Sequence, residues 1–310
     1  FDSGTSWSAV LPDVADVYLE GMDQFNGWFY SSLTTSMAIQ GKAPFKSIFV
    51  HGFTVDKNGQ KMSKSLGNVI SPKDIIQGKK NPASALGTDV LRFWVASHGV
   101  QHTHIPVVDN VLKNSADSLQ KIRSVLRFLL GALYQHETTI NDTKAEYLIV
   151  DKYMLHKLYH YNKEIQRYYD DFEYHHAAKA IVNFVANDVS AFYCPLVKDR
   201  LYCEAAGSPL RIGAVDVVDD ILTVVTRSMA PIVPHLAEEV WLYHPENLAS
   251  VPLHRSAPCV PPDDWDSREI KRIVESALVV KGDFNRIFKG NSAEVKVNVR
   301  AGGRIYEDLL

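Results

Sequence analysis

The hydrophobic positions change period partway along the 310-residue chain. In roughly the first hundred residues, short strand-like runs alternate with helix-like ones. Val17-Tyr18-Leu19 reads as a short buried strand ending at Glu20-Gly21, with Asp23 placed to cap the next helix. From Gln24 to Gln40, Phe25, Phe29, Leu33 and Met37 recur every four residues, which predicts a helix buried along that stripe; Gly41 and Pro44 stop it. Ser47 to Phe53 is rich in β-branched and aromatic residues and predicts a second strand. Asp56-Lys57-Asn58-Gly59 is turn chemistry. Strand, helix, strand in this rhythm predicts a parallel α/β unit. Further on, Ser71-Pro72-Lys73-Asp74 starts a helix with proline at its first position, and Thr88 is placed to cap another over Asp89 to Ser97.

From about Asp109 the period becomes that of helices alone. Leu112, Ala116, Leu119, Ile122, Leu126, Leu129 and Leu133 follow three- and four-residue steps and predict one long amphipathic helix. Tyr153 to Tyr168, His175 to Tyr193, Val215 to Met229 (stopped by Pro231) and His235 to Tyr243 read the same way. Successive helices without strands predict an antiparallel bundle. Residues 244–264 are rich in proline and lack a period, which marks a connector. Ile270 to Arg286 returns to helix. Glu294 to Arg300 then alternates strictly, with Val295, Val297 and Val299 on one face and Lys296 and Asn298 on the other, as the start of another small α/β unit would.

Composition narrows the classes of function. Hydrophobic residues are 46% and charged residues 22%, ordinary for a globular chain with a full core. The formal charge of -3 gives no global basic field, so any RNA contact has to come from local lysine and arginine patches. Cys194, Cys203 and Cys259 match no zinc spacing, and their odd count argues against a disulfide framework and for a reducing compartment. No run approaches about 18 uninterrupted apolar residues, so no membrane span is expected. The opening Phe1-Asp2-Ser3-Gly4 has neither an initiator methionine nor a targeting pattern, and reads as the middle of a longer protein.

Two clusters carry candidate chemistry. Lys61-Met62-Ser63-Lys64-Ser65 places two ammonium groups three residues apart on a polar loop after a strand, flanked by Gly59 and Gly67. Such a loop either steadies a polyphosphate, offsetting charge that grows in a transition state, or is a solvated surface run. Glu20-Gly21-Met22-Asp23-Gln24 lies at the carboxyl end of a strand, where open α/β sheets bind ligands. It either grips a ribose diol and an ammonium group, or is a helix start capped by Asp23 with Glu20 in solvent. Trp28 walls an aliphatic pocket or packs in the core, and His51 at its strand end is equally open to both readings.

Taken together, Val17-Tyr18-Leu19-Glu20-Gly21-x-Asp23-Gln24-x-x-Gly27-Trp28-Phe29, then His51-Gly52-Phe53, then Lys61-Met62-Ser63-Lys64-Ser65-Leu66-Gly67-Asn68 resembles the isoleucyl-tRNA synthetases, class I enzymes with a Rossmann-type catalytic domain. Gly87-Thr88-Asp89-Val90-Leu91-Arg92 is similar to that family's stem-contact motif. Phe192-Tyr193, Lys198-Asp199-Arg200-Leu201-Tyr202 and Met229-Ala230-Pro231 through His235 to Glu238-Glu239-Val240-Trp241 are similar to its anticodon-binding helices. The fold class the resemblance implies is a partial α/β Rossmann-type catalytic half followed by an all-α anticodon-binding helical bundle. Residues 1–70 would be the C-terminal half of the catalytic domain, 71–108 a stem-contact segment, 109–264 the anticodon-binding domain and 265–310 the start of a C-terminal α/β appendage.

The resemblance also implies an activity and roles. The family joins L-isoleucine to ATP, releases pyrophosphate and passes the aminoacyl group to tRNA(Ile). Lys61 and Lys64 would be the catalytic pair on the ATP phosphates, with Met62, Ser63, Ser65 and His51 part of the same nucleotide site. Glu20, Gly21, Asp23 and Gln24 would hold the aminoacyl-adenylate, and Trp28 would line the isoleucine pocket. The cofactor implied is ATP with Mg2+; no residue reads as a dedicated metal ligand and no zinc site is expected within these residues. The partners implied are tRNA(Ile), L-isoleucine and ATP, with no membrane and a monomeric state. The family's His-Ile-Gly-His signature is absent from the sequence, so the expectation is a chain inactive on its own; the alternative is a non-catalytic tRNA- or RNA-binding module. The motifs are of the bacterial and organellar style, which implies the mitochondrion first and the cytoplasm as the alternative.

Weaker signals remain. Arg92, Lys113, Lys121, Arg123 and Arg127 either face an RNA backbone or form a solvated basic face. The tyrosines between Tyr153 and Tyr174 either stack on anticodon bases or fill a bundle core. His102, His104 and the pair His175-His176 have no cysteine or carboxylate at ligand spacing and are not expected to bind metal.

Overall fold

In the computed structural model, the described residues are 2–11, 13–78, 82–99, 103–134, 144–245, 253 and 260–287. The predicted strand at 294–300 and the residues Cys259 and His102 lie outside them. The chain divides into two compact units: one drawn from Phe1–Lys121, Arg167–Lys179 and Pro231–His235, the other from Ile122–Gln166, Ala180–Ala230 and Leu236–Leu310.

The first unit is α/β. Strands β1 (Ala15–Gly21) and β2 (Phe45–His51) pair in parallel, with Gly21 opposite His51. They follow a short helix, α1 (Trp7–Val10), and are joined by α2 (Trp28–Gln40), which Gly41 ends in the left-handed conformation (φ 69°) that glycine adopts without steric cost. The predicted stripe does not survive here. Phe29, Ser32 and Ser36 form the buried face, while Phe25 and Met37 are exposed. Small serines let the helix lie close: Ser36 donates to the Lys42 carbonyl at 2.8 Å, and a β-carbon on Gly4 would press tightly, at 3.1 Å, against the Ser31 β-carbon.

The predicted strand from Ser47 to Phe53 is also two strands, not one. Pairing with β1 stops at His51, and after Gly52 the chain enters β3 (Phe53–Val55), which pairs in parallel with β4 (His104–Pro106) in a separate ladder. The helix α3 (Pro72–Gln77) begins as predicted, with the Ser71 hydroxyl accepting from the Lys73 N–H at 3.2 Å. α4 (Thr88–His98) takes Gly87, not Thr88, as its N-cap, and no side chain caps it. Ile75, Trp94, Ile105, Val107 and Leu112 form the core under this ladder.

The second unit is helical. It shares with the first the long α5 (Asp109–Tyr134), α6 (Ile149–Asp170) and α7 (Tyr174–Asn183). The helical path then continues through a π-helical stretch, Phe184–Tyr193, into α8 (Cys194–Tyr202), followed by α9 (Pro209–Met229), α10 (Pro234–Leu242) and α11 (Arg268–Ile287). Leu112, Leu119, Ile122, Leu126, Leu129 and Leu133 of α5 are all buried, as their spacing predicts. Tyr174–Tyr202 is long and apolar enough to cross a membrane by length and composition alone, with a mean hydropathy of 1.4 over its best window. Its Val185, Val189, Tyr193 and Val197 are nonetheless buried in the helical unit. At the centre of this unit Asp151, wholly buried, accepts from Arg200 Nη1 and Nη2 at 2.7 Å each and from the Tyr193 hydroxyl at 2.7 Å. Two donor side chains therefore compensate one buried carboxylate.

A candidate nucleotide and amino-acid site

The acidic turn grows from the end of β1. Strand pairing brings Gly21 beside His51, and the next residues turn into a short 3-10 helix, Met22–Asn26. A methyl group on the Gly21 α-carbon would lie 2.7 Å from Asp23 Oδ1, 3.6 Å from His51 Cε1 and 3.7 Å from Phe53 Cε1. A side chain there would push the exposed Asp23 carboxylate aside, and the turn, His51 and Phe53 share one small space. Asp23 does not cap the helix as predicted. Gln24 does so instead: its Oε1 accepts from the Trp28 N–H at 2.9 Å, while its Nε2 donates to Asp23 Oδ2 at 3.2 Å. Glu20 and Asp23 are exposed, and Glu20 Oε2 accepts only a long bond, 3.4 Å, from the Gly21 N–H. His51 Nδ1 lies 2.9 Å from the Gly52 carbonyl oxygen, which fixes the ring plane.

Trp28 is half-buried. Its ring lies flat on Tyr18, with centroids 4.0 Å apart and planes 6° from parallel, and its indole N–H donates to Ser6 Oγ at 3.1 Å. Both contacts fix the ring as a wall at the edge of the Ala15, Tyr18 and Phe29 cluster.

The lysine loop is tethered by residues whose role the spacing alone does not reveal. Lys61 forms an antiparallel bridge with Val55. Asn68 Oδ1 accepts from the Ser63 N–H at 2.9 Å, and Asn68 Nδ2 donates to Asp56 Oδ2 at 2.9 Å and to the Lys61 carbonyl at 3.4 Å. Asp56 also accepts from the Asn58 and Gln60 amides at 2.9 Å each. The Asn68 hydrogen bond first, then the Gln60 amide, hold its carboxyl below the usual carboxylate range. Met62 packs against the core around Ile75 and Trp94, so one apolar side chain anchors a loop whose two lysines are exposed. Ser63 Oγ lies 3.1 Å from Ser65 Oγ and accepts from the Leu66 N–H at 3.3 Å; the Lys64 carbonyl accepts from the Gly67 N–H at 3.3 Å.

Phe53 links the two clusters. One edge of its ring faces Gly21, and Lys61 Nζ sits 4.5 Å from its centroid. The structure thus brings Gly21, Asp23, His51 and Lys61 around Phe53, with Gln24 and Trp28 holding the turn and Lys64 exposed farther along the loop. Phe53, Asp56 and Asn68 join the site although the sequence gives them no role: Phe53 and Asn68 stand in the quoted motifs without an assigned function, and Asp56 reads only as part of the turn at 56–59.

Two of the basic residues considered for RNA serve internal contacts. Arg92 donates to the carbonyls of Ile232 and Pro231 at 2.9 and 2.8 Å, and Arg123 grips Glu239 with both terminal nitrogens, at 2.5 and 2.7 Å. Lys113, Lys121 and Arg127 are exposed. Tyr153, Tyr159 and Tyr161 are buried and belong to packing, not to a stacking surface, because their neighbours on α6 already face the core.

Comparison with known proteins agrees with this layout. The family described as tRNA synthetases class I (I, L, M and V) matches residues 7–105, and the anticodon-binding domain of tRNA ligase matches residues 151–296. The mitochondrial isoleucine–tRNA ligase of Mus musculus is 41% identical over 96% of this chain, and the isoleucine–tRNA ligase of Prochlorococcus marinus is 36% identical over 98%. The chain spans 30% and 32% of their respective lengths. Among solved structures, a ternary complex of LeuRS from Agrobacterium radiobacter, with tRNA and LeuAMS, superposes with a TM-score of 0.63 at 17% identity, covering 88% of this chain and 35% of that one. A methionyl-tRNA synthetase from Mycobacterium tuberculosis, bound by methionyl-adenylate, gives 0.58 at 18% identity, covering 81% and 50%. An α/β segment with parallel strands and a lysine loop, followed by a helical unit, fits both family matches in order, and the chain belongs to the isoleucine–tRNA ligases, class I aminoacyl-tRNA synthetases, as a catalytic-domain segment joined to their anticodon-binding domain.

Proposed function

We propose that this chain contributes the phosphate loop, the adenylate-binding turn and the anticodon-binding domain to an enzyme that activates L-isoleucine with ATP and transfers it to tRNA(Ile). The observation that carries this reading is the meeting of the acidic turn and the lysine loop at Phe53, where Gly21 and Lys61 approach different parts of one ring. Lys61 and Lys64 steady the ATP phosphates as charge builds on them. Glu20, Asp23 and Gln24 hold the ribose and ammonium groups of the adenylate; the Gly21 backbone and His51 complete the wall, and Met62, Ser63 and Ser65 shape the loop. Trp28, fixed by Tyr18 and Ser6, lines the aliphatic pocket. A pocket of this kind separates isoleucine from valine by only about 1–3 kcal/mol for one methylene. Mg2+ accompanies the nucleotide. The enzyme works as a monomer, in the mitochondrion. Residues 1–70, 71–108, 109–264 and 265–310 are its catalytic, stem-contact, anticodon-binding and appendage segments. Without a His-Ile-Gly-His motif, the 310 residues alone do not form adenylate.

The test is Lys64→Ala in a protein carrying this chain at the full length of its relatives, followed by pyrophosphate exchange. A loss of about 100- to 1,000-fold in rate is expected when one preorganised charge leaves the transition state. An unchanged rate refutes the role of the loop.

A further inference from the structure

One side chain stands in for a strand along the lysine loop. Gly67, at φ 66° in the left-handed region, turns the chain back, and its N–H donates to the Lys64 carbonyl at 3.3 Å. This returns Asn68 to the start of the loop, where its carboxamide engages both sides of Met62. Oδ1 accepts from the Ser63 N–H at 2.9 Å, and Nδ2 donates to the Lys61 carbonyl at 3.4 Å. A neighbouring parallel strand makes the same two bonds to a residue: one to the carbonyl before it, one to the amide after it. They hold that residue extended, and in an extended chain successive side chains leave opposite faces. Met62 packs on the core around Ile75 and Trp94, so Lys61 and Ser63 are turned the other way, and Lys61 meets Phe53.

A carboxamide can sit either way round, and Asp56 decides which. Its Oδ2 can only accept, and it lies 2.9 Å from Asn68 Nδ2, so the donor end of Asn68 must face it and the acceptor end is left for Ser63. Asp56 is itself fixed, because its Oδ1 accepts from the Asn58 and Gln60 amides at 2.9 Å each. A carboxylate has the wrong sign to bind a phosphate, and both oxygens of this one are turned to amide donors instead.

We infer that Asn68, oriented by Asp56, is the positioning residue of the lysine loop. It sets the extended geometry at Met62 from which Lys61, and Lys64 in the turn that follows, meet the ATP phosphates. This rests on the phosphate role proposed above for the two lysines, and adds what holds them ready for it.

The test is pyrophosphate exchange in a protein carrying this chain at the full length of its relatives. Asn68→Ala is expected to lower kcat by about 100-fold, the cost of a small misplacement of reacting groups, with the KM for isoleucine unchanged. Asn68→Asp alone sets two carboxylates against each other. Asp56→Asn alone leaves one donor facing another whichever way its amide turns. Each is expected to lower kcat in the same way. Made together, the two substitutions restore a donor to every acceptor between positions 56, 58, 60, 63 and 68, and are expected to recover at least about tenfold over either one alone. An undiminished kcat in Asn68→Ala, where Lys64→Ala is impaired, overturns the positioning role and leaves the phosphate role of the loop standing. Losses in both single exchanges without recovery in the pair overturn the part given to Asp56. An unchanged rate in Lys64→Ala removes the reading on which both rest.

Discussion

The helical unit and the α/β unit bury their apolar residues to very different extents. In the helical unit, Val217, Val218, Ile221, Leu222, Val224 and Val225 of α9 are each at most 1% exposed, and even the carboxylate of Asp151 is enclosed. In the α/β unit, the cluster under β1 and β2 is Ala15, Tyr18 and Phe29, while Tyr30 and Ile39 of α2 are 66% and 70% exposed. The reason is geometric. A strand sends neighbouring residues to opposite faces, so Tyr18 meets α2 while Leu19 faces away. Parallel sheets ordinarily bury both faces, whereas on the Leu19 face of these two strands Phe49 meets Phe172 and Tyr174 but Leu19 itself stays 56% exposed. The lesson is that the candidate site depends on particular tethers, Asn68 to Asp56 and Gln24 to Trp28, where the helical unit depends on a continuous core.

Substitutions test this contrast, beginning with the most severe. Arg200→Ala leaves Asp151 buried and without its ion-pair partner, and is expected to cost about 3–5 kcal/mol in denaturant unfolding followed by helical circular dichroism. A loss below about 1 kcal/mol would mean that the centre of the helical unit is looser than its geometry implies. Ile221→Ala, at a position with 0% exposure, is expected to cost about 2–5 kcal/mol in the same assay. A pH effect comes next. Burial first, then the neighbouring Asp219 and Asp216, push the Asp220 carboxyl from 3.8 up to about 7. Tyr147 donates to Asp216 and His244 contacts Asp219, but neither supplies a charge to Asp220 itself. The folded chain therefore binds this proton more tightly than the unfolded one, and stability falls as pH rises from 3.8 through about 7. Thermal melts across that range should show a flatter slope in Asp220→Asn; an identical slope removes Asp220 as its source. Smallest is Ile39→Ala on the exposed face of α2, expected to stay within about 0.5 kcal/mol, so a large loss there would show that this face is covered in solution.

The helices are readable in the sequence because their burial is periodic: the spacing from Leu112 to Leu133 is enough by itself to mark α5. The α/β unit is less so, for identifiable reasons. The Phe25 and Met37 stripe misleads because α2 approaches its sheet through Ser32 and Ser36, small residues that carry no hydrophobic signal. The break at Gly52 is hidden because Phe53 continues the β-branched and aromatic run of β2 while pairing elsewhere. β4 is three residues long, too short for a period. The π-helical stretch Phe184–Tyr193 changes residues per turn without changing composition. In the candidate site, Gly21, Asp23, His51 and Lys61 are legible from their motifs, whereas Phe53 emerges only when folding places its ring between strand end and loop.

The resting place of Lys61 on that ring has a consequence for how readily the lysine can be given up. An exposed ammonium over a phenyl face is worth about 0.5–1 kcal/mol. Releasing it therefore weakens the capture of an incoming polyanion by less than about tenfold. Under the proposed function, Phe53 would act as a light latch, holding one cation beside the acidic turn by a contact weak enough to yield to a stronger counter-charge.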